Sequence, residues 1–179
     1  MEEKEFIALL QNSKTRSKAF ENLVDTYQRR LYWHIRRIVI SHEDTDDVLQ
    51  ETFIKIFRSI DKFRGESSLF SWVYRIATNQ ALDFLKKRAN ERSCSIEDLQ
   101  YDRSIHLETD VYFEGDEIQI KFQKAIANLP EKQQLVFNMK YFEELKYEQI
   151  SQILDTSVGA LKASYHHAVQ KIKNYLETH

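Results

Sequence analysis

The chain has 179 residues but only three glycines, one proline and one cysteine. So few turn formers argue against a fold rich in tight turns. The single cysteine, Cys94, excludes an internal disulfide and any zinc site built from several cysteines. No apolar run approaches ~18 residues, so no segment reads as membrane-spanning. The opening "MEEKEFIALLQN" is acidic and lacks the positive start of a secretory signal, which makes the cytoplasm the expected compartment. What the chain has in quantity is Lys, Glu, Gln, Leu, Ile and Ala, a mix that favours helices.

The formal net charge of −2 conceals a pattern. Residues 1–92 carry 17 Lys and Arg against 14 Asp and Glu, and residues 118–179 carry 8 against 6. Between them, residues 93–117 carry one basic side chain against eight acidic ones. Two mildly basic blocks flanking a short acidic connector indicate a two-domain organisation with charge asymmetry.

From Lys18 to Ile40, Phe20, Leu23, Val24, Tyr27, Leu31, Ile35 and Ile38 recur at steps of three and four, the face of one long helix. "SHEDTDD" places Ser41 three residues before Asp44, a capping-box-like start. The helix that follows is expected to bury Val48, Thr52, Phe53, Ile56 and Ile60. "DKFRGESS" breaks the period and reads as a loop, after which Ser67 or Ser68 caps a third long helix packing through Phe70, Val73, Ala77 and Phe84. A short leading helix near Lys4–Asn12 completes the first block. Residues 93–117 show no sustained period and read as a linker that can hold one helical turn. Helices resume at Glu117–Asn128 and, after Pro130, at Glu131–Phe142. The fold class is therefore all-α, as two small helical domains: residues 1–92, a flexible acidic linker over 93–117, and residues 118–179.

In the second block "KYEQISQILD" and "VGALKASYHHAVQKIKNYL" have the form of a helix-turn-helix. Tyr147, Ile150 and Ile153 are expected to pack against Val158, Leu161, Tyr165, Ala168 and Ile172 as a single seam. Thr156 or Ser157 supplies the cap, and Gly159 leaves room for a phosphate at the positive helix end. The remaining face presents Lys162, Ala163, His166, His167 and Gln170, the kind of face a recognition helix offers the major groove. Two such helices also occur in any bundle, so spacing alone leaves DNA reading and plain packing open. Adjacent His166 and His167 diverge around the helix and cannot chelate one metal.

In the first block Phe63, Phe70, Trp72 and Tyr74 interleave with Lys62, Arg64, Arg75 and the Lys86–Arg88 run. Aromatics that stack bases, with cations tracking the backbone, suit single-stranded nucleic acid. Trp72, Arg75 or Ile76, and Asn79 share a helical face distinct from the core stripe. Taken singly, Trp72 and Tyr74 read equally well as core aromatics. Asp46, Asp47, Gln50 and Glu51 project from the preceding helix, as a solvated face or as a docking patch for a basic partner. No cleft, His or nucleophile accompanies these carboxylates, so they do not read as an active site.

Together, "DDVLQETFIKIFRSIDKFRGESSLFSWVYRIATNQALDFLKKR" and "LPEKQQLVFNMKYFEELKYEQISQILDTSVGALKASYHHAVQKI" resemble regions 2 and 4 of an extracytoplasmic-function (ECF) sigma factor of bacterial RNA polymerase. The resemblance runs from about Phe20 to Leu176, in the right order. It implies docking of Asp47, Gln50 and Glu51 on the clamp coiled coil of core polymerase. It implies binding of the melted −10 strand by Lys62, Phe63, Arg64, Ser67, Trp72, Arg75 and Asn79. Region 4 would sit on the polymerase flap and enter the −35 major groove through Ser157, Gly159, Lys162, Ser164, His166 and His167. An anti-sigma factor, often membrane-bound in this family, is an expected further partner; no catalysis, metal or cofactor is expected. The acidic linker would repel DNA and is expected to thread the polymerase channel later taken by RNA.

The chain also departs from the family pattern. Glu144 and Asp155 stand where glycine is frequent, Ser151 where alanine is, and Ser164 and His167 where the recognition helix often has arginines. Asp tolerates a left-handed turn and Ser151 is small enough for close packing, so the fold is expected to survive. The lost arginines point to an altered −35 sequence. The competing readings are a stand-alone helix-turn-helix regulator, which leaves the aromatic loop and linker unexplained, and a helical enzyme or scaffold, for which no convergent polar site is visible.

Overall fold

The computed structural model describes residues 1–105 and 115–179, and among these all regular structure is helical. The helices are α1 (Glu3–Gln11), α2 (Arg16–Val39), α3 (His42–Ser59), α4 (Leu69–Arg92), α5 (Ile96–Ile105), α6 (Glu117–Ala127), α7 (Glu131–Tyr141), α8 (Tyr147–Leu154) and α9 (Val158–Thr178). A 3-10 turn, Ile60–Lys62, follows α3.

α2, α3 and α4 form a three-helix core, closed at one end by α1. Their apolar stripes meet in Leu23, Leu31, Ile35 and Ile38, in Val48 and Ile56, and in Val73, Ala77, Ala81 and Leu85, all buried. The α4 stripe is thus drawn from smaller residues than expected, with Phe70 and Phe84 only half-buried. Phe53 is likewise half-buried. Thr45, Thr52 and Thr78 lie in this core, and each hydroxyl donates to the carbonyl four residues earlier at 2.7 Å, so burial leaves no proton unpaired.

The helix boundaries have local causes. Ile40 adopts φ 69° between α2 and α3, and the Ser41 N–H reaches the Val39 carbonyl at 2.8 Å, a γ-turn. Ser41 then caps α3, Ser68 caps α4 by accepting the Ser71 N–H at 3.1 Å, and Ser157 caps α9. Gln11 at the end of α1 donates to the carbonyls of Ile60 and Phe63 at 3.0 and 2.9 Å, pinning the start of the 63–68 loop.

The linker reading is corrected over its first half. α5 runs for 10 residues, more than one turn, with Leu99 and Gln100 each only 1% exposed. The Gln100 side chain donates to the Ile38 carbonyl at 3.1 Å, so contact with α2, rather than periodicity, fixes this helix. Residues 106–114 of the expected linker lie outside the described residues.

In the C-terminal block α6, α7 and α9 surround Ala125, Ile126, Leu129, Phe137, Ala168 and Ile172. The expected single seam between α8 and α9 is therefore divided. Ile150 and Ile153 of α8 share a cluster with Leu161, while Ala168 and Ile172, further along α9, turn to α6 and α7. Leu135, Val136, Met139, Leu145, Ile150 and Ile153 join the same buried cluster as the N-terminal core. The two blocks are packed against each other, α8 on α4 and α7 on α2.

Candidate nucleic-acid and partner interfaces

Trp72, Arg75 and Asn79 all lie within α4. Trp72 and Arg75 are half-buried and Asn79 is exposed, one above another on the helix; Lys62 and Arg64 are exposed on the adjoining loop. Gly65 takes φ 72° in this loop, a conformation that suits glycine. Phe63 is only 7% exposed and lies beneath Trp72 with ring centroids 5.0 Å apart. It supports the indole rather than offering an open stacking face. Tyr74 is a core aromatic, stacked on Phe70 at 4.4 Å, with its phenol pushed well above its ordinary value by burial and by the neighbouring Glu143 carboxylate. Ser67 is half-buried, its hydroxyl donating to the Ser68 carbonyl at 3.3 Å.

Asp47, Gln50 and Glu51 are all exposed on α3. Beside them an apolar groove of about 570 Å³ is lined by Phe20, Val24, Gln50, Phe53, Ile54, Phe57 and Arg58. Ile54 and Phe57 are 36% and 39% exposed, so the polar face borders a hydrophobic one. The sequence pattern points to the carboxylates but not to the groove, because Phe20 reads as an ordinary member of its helix stripe and Phe57 falls outside the expected stripe of α3.

On α9, Ser157, Gly159, Lys162, His166 and His167 are exposed and Ser164 is half-buried. A Cβ on Gly159 would meet nothing within 4 Å, so the first turn of α9 is open to solvent. The Lys162 ammonium lies 5.8 Å from the Tyr147 ring centroid, held near the start of α8. The His166 and His167 rings are 5.9 Å apart and inclined at 63°. Asp155 and Glu144 adopt φ 51° and 53°, the left-handed turns where glycine is frequent in the family.

The seam between the blocks engages His34, Arg37 and Glu143, which the sequence did not single out, together with Arg75, which it did. His34, on the buried stripe of α2, pairs through Nδ1 with Glu143 Oε1 at 2.6 Å and through Nε2 with Thr78 Oγ1 at 2.7 Å. Arg37 stacks over Phe142 at 4.7 Å, and burial lowers its pKa while Glu143 opposes that shift. Arg75 Nε donates to the Gln152 carbonyl at 3.1 Å, and a second guanidinium nitrogen donates to the same oxygen.

Residues 23–91 match the family model for sigma-70 region 2, and residues 119–172 match that for sigma-70 region 4. Two such modules in this order define an initiation factor of the sigma-70 class. The ECF RNA polymerase sigma-E factor of Haemophilus influenzae is 34% identical over 168 residues, spanning 89% of this chain and 88% of that protein. The RNA polymerase sigma-H factor of Pseudomonas aeruginosa is 31% identical over 168 residues, spanning 89% and 87%. Among solved structures, CnrH in complex with the cytosolic domain of CnrY aligns with a TM-score of 0.72 at 18% identity, over 98% of this chain and 97% of that one. The sigma factor RpoE in complex with the anti-sigma factor NepR from Bartonella quintana aligns with a TM-score of 0.68 at 18% identity, over 89% and 98%. These structural likenesses establish the helical fold. The chain belongs to the ECF sigma factors of RNA polymerase. It is thus a factor that binds core polymerase and directs promoter-specific initiation, which sets aside the stand-alone regulator. No helix among the described residues is long and apolar enough to cross a membrane.

Proposed function

We propose that residues 1–92 dock on core RNA polymerase and hold the melted −10 strand, while residues 118–179 read the −35 duplex. Asp47, Gln50 and Glu51 meet the clamp coiled coil, with the adjoining groove of Phe53, Ile54 and Phe57 supplying apolar area. Lys62, Arg64, Ser67, Trp72, Arg75 and Asn79 bind the single strand, with Phe63 as the support of Trp72. α9 enters the major groove through Ser157, Gly159, Lys162, Ser164, His166 and His167, and region 4 rests on the polymerase flap. The acidic stretch 93–117 connects the blocks through the polymerase channel once α5 leaves its contact with α2. The protein has no catalysis of its own and acts in the cytoplasm. An anti-sigma factor, membrane-bound or soluble, is its natural inhibitor, a reading supported by CnrH and the Bartonella RpoE, each solved with such a partner or a cytosolic partner domain.

The observation that carries the reading is the row of Trp72, Arg75 and Asn79 along α4, next to a loop bearing exposed Lys62 and Arg64. Each stacked base contributes roughly 1–3 kcal/mol, whereas opening duplex DNA costs a few kcal/mol per unstacked step. A chain with net charge −2 gains little from counterion release. Core polymerase offsets the deficit by tethering both blocks, which raises their effective concentration at the promoter. Footprinting with and without core polymerase tests this. Protection and melting are expected only with the enzyme; strong protection by the chain alone overturns the reading.

A further inference from the structure

Arg29, Arg30, Trp33 and Arg37 are spaced at steps of three and four, so they share one side of α2. They line a cavity of about 260 Å³ that Tyr74, Phe142 and Glu143 complete. None of these side chains belongs to the surfaces proposed for the polymerase clamp, the −10 strand or the −35 duplex. Arg29 and Arg30 are exposed, Arg37 is half-buried, and the Trp33 indole is 42% exposed. A tryptophan this open to water forgoes burial that a stacked planar ligand would supply. No carboxylate forms an ion pair with any of the three arginines among the described residues. The one carboxylate lining the cavity, Glu143, is held by His34 Nδ1 at 2.6 Å. Three cations against one engaged carboxylate leave the cavity positive. The guanidiniums are also held in place. Arg30 lies over the Phe70 ring at 4.8 Å and Arg37 over the Phe142 ring at 4.7 Å. A guanidinium stacked by its face keeps its N–H donors at the edge, where they meet phosphate oxygens in pairs. Burial already lowers the Arg37 pKa, a penalty that an adjacent anion relieves.

We propose that this cavity binds a small nucleotide, its phosphates held by Arg29, Arg30 and Arg37 and its base laid on Trp33. The arginines call for a phosphorylated ligand and the open indole for a planar ring; inorganic phosphate would leave Trp33 unused. The volume lies just below the ~300–1,000 Å³ of drug-sized sites. That suits one base with its ribose and phosphates rather than a continuous nucleic-acid strand.

The test is calorimetry on the native full chain, with ADP, GDP, CDP and UDP titrated separately and with pyrophosphate and the matching nucleosides as partial ligands. At least one nucleotide is expected to bind with a Kd below about 0.1 mM, and its two partial ligands roughly tenfold more weakly. Arg29→Ala and Arg30→Ala should each weaken the nucleotide about tenfold, the loss of one charge-assisted contact. Trp33→Ala should weaken it about fivefold, and Trp33→Phe should restore most of that loss. These side chains are exposed, so the variants are expected to fold, which circular dichroism checks. Lys173→Ala, which removes an exposed cation from α9, should change nothing. Failure of all four nucleotides to bind at about 1 mM overturns the site. So does equal weakening by Lys173→Ala, the mark of unspecific charge attraction. Pyrophosphate binding as tightly as the nucleotides, with Trp33→Ala silent, makes the cavity a bare phosphate site and overturns the nucleotide reading. Displacement of the nucleotide by a random-sequence single-stranded DNA, itself bound about tenfold more weakly by Arg29→Ala, assigns the cavity to a nucleic-acid strand and overturns it likewise.

Discussion

Gln11 is not itself proposed to touch DNA, yet it should control −10 recognition. Its side-chain amide donates at 3.0 Å to the Ile60 carbonyl and at 2.9 Å to the Phe63 carbonyl, bridging both ends of the turn from which the recognition loop springs. The Arg16–Asp61 ion pair is the turn's other tie to the α1–α2 junction, and with Asp61 about half exposed it contributes little. Gln11→Ala removes two partly buried hydrogen bonds at a net ~1 kcal/mol each, so about 2 kcal/mol is lost. For a chain of this length that lowers Tm by about 4–8 °C. Gln11→Glu preserves the shape but leaves a carboxylate facing two carbonyl oxygens, and should cost more than Gln11→Ala at neutral pH. Urea unfolding measures the stability; permanganate footprinting of holoenzyme on a dependent promoter, well below the lowered Tm, measures opening. Opening should fall while capture of core polymerase is unchanged, because α3 keeps its position. A Gln11→Glu chain as stable as the native one would refute the hydrogen-bond argument. Normal opening by an unfolding-competent Gln11→Ala chain would refute the link to the loop.

Glu144 at φ 53° is exposed and pays a left-handed penalty of ~1–2 kcal/mol. Since glycine costs ~0.5–1 kcal/mol more to order, Glu144→Gly should stabilise by roughly 0.5–1 kcal/mol, whereas Glu144→Ala should not; equal effects would show that the carboxylate, not the backbone, matters. Burial and Glu143 raise the Tyr74 pKa above its ordinary value of 10. The folded state therefore holds that proton more tightly: the contribution is fully present below pH 10 and is lost as pH rises beyond it. In alkaline denaturation the slope should flatten in Tyr74→Phe, and an unchanged slope would count against this account. Lys162→Ala should weaken −35 binding evenly across sequences and reduce the salt slope by about one, as loss of a single phosphate contact does; a sequence-dependent loss would make Lys162 a base reader instead. Glu51→Ala should reduce pull-down of core polymerase without altering promoter choice, and intact assembly would exclude this face of α3 as the docking surface.

Most of the helical frame is legible in the sequence, because α2, α3 and α9 carry stripes at steps of three and four and serine caps mark the starts of α3, α4 and α9. α5 is not legible. Its buried residues are Leu99 and a glutamine, and Gln100 is buried only because the Ile38 carbonyl accepts its amide. Phe63 looked like a base-stacking residue since it sits in a loop among cations. Its burial follows from the Gln11 clamp, which no local pattern announces. His34 has a weaker signal, a titratable residue on the apolar stripe between Leu31 and Ile35, but its partner Glu143 is supplied by another block. The left-handed turn at Asp155 could be anticipated from the family's glycine, whereas the use of Arg75 to complete α8 could not, because a DNA contact and a helix cap ask for the same side chain.

The proposed reliance on core polymerase fits a recognition helix with so few cations. A sigma factor with a strongly basic α9 would bind duplex DNA without polymerase, since each phosphate neutralised adds to non-specific affinity. This chain instead exposes Lys162 and two histidines on that face, and places its acidic excess in the stretch between the blocks. On the proposed function, polymerase makes up the missing affinity by holding both blocks near the promoter. Adding arginines at Ser164 and His167 should strengthen the free chain's DNA binding while eroding its dependence on polymerase, because each new phosphate contact adds affinity that needs no tether.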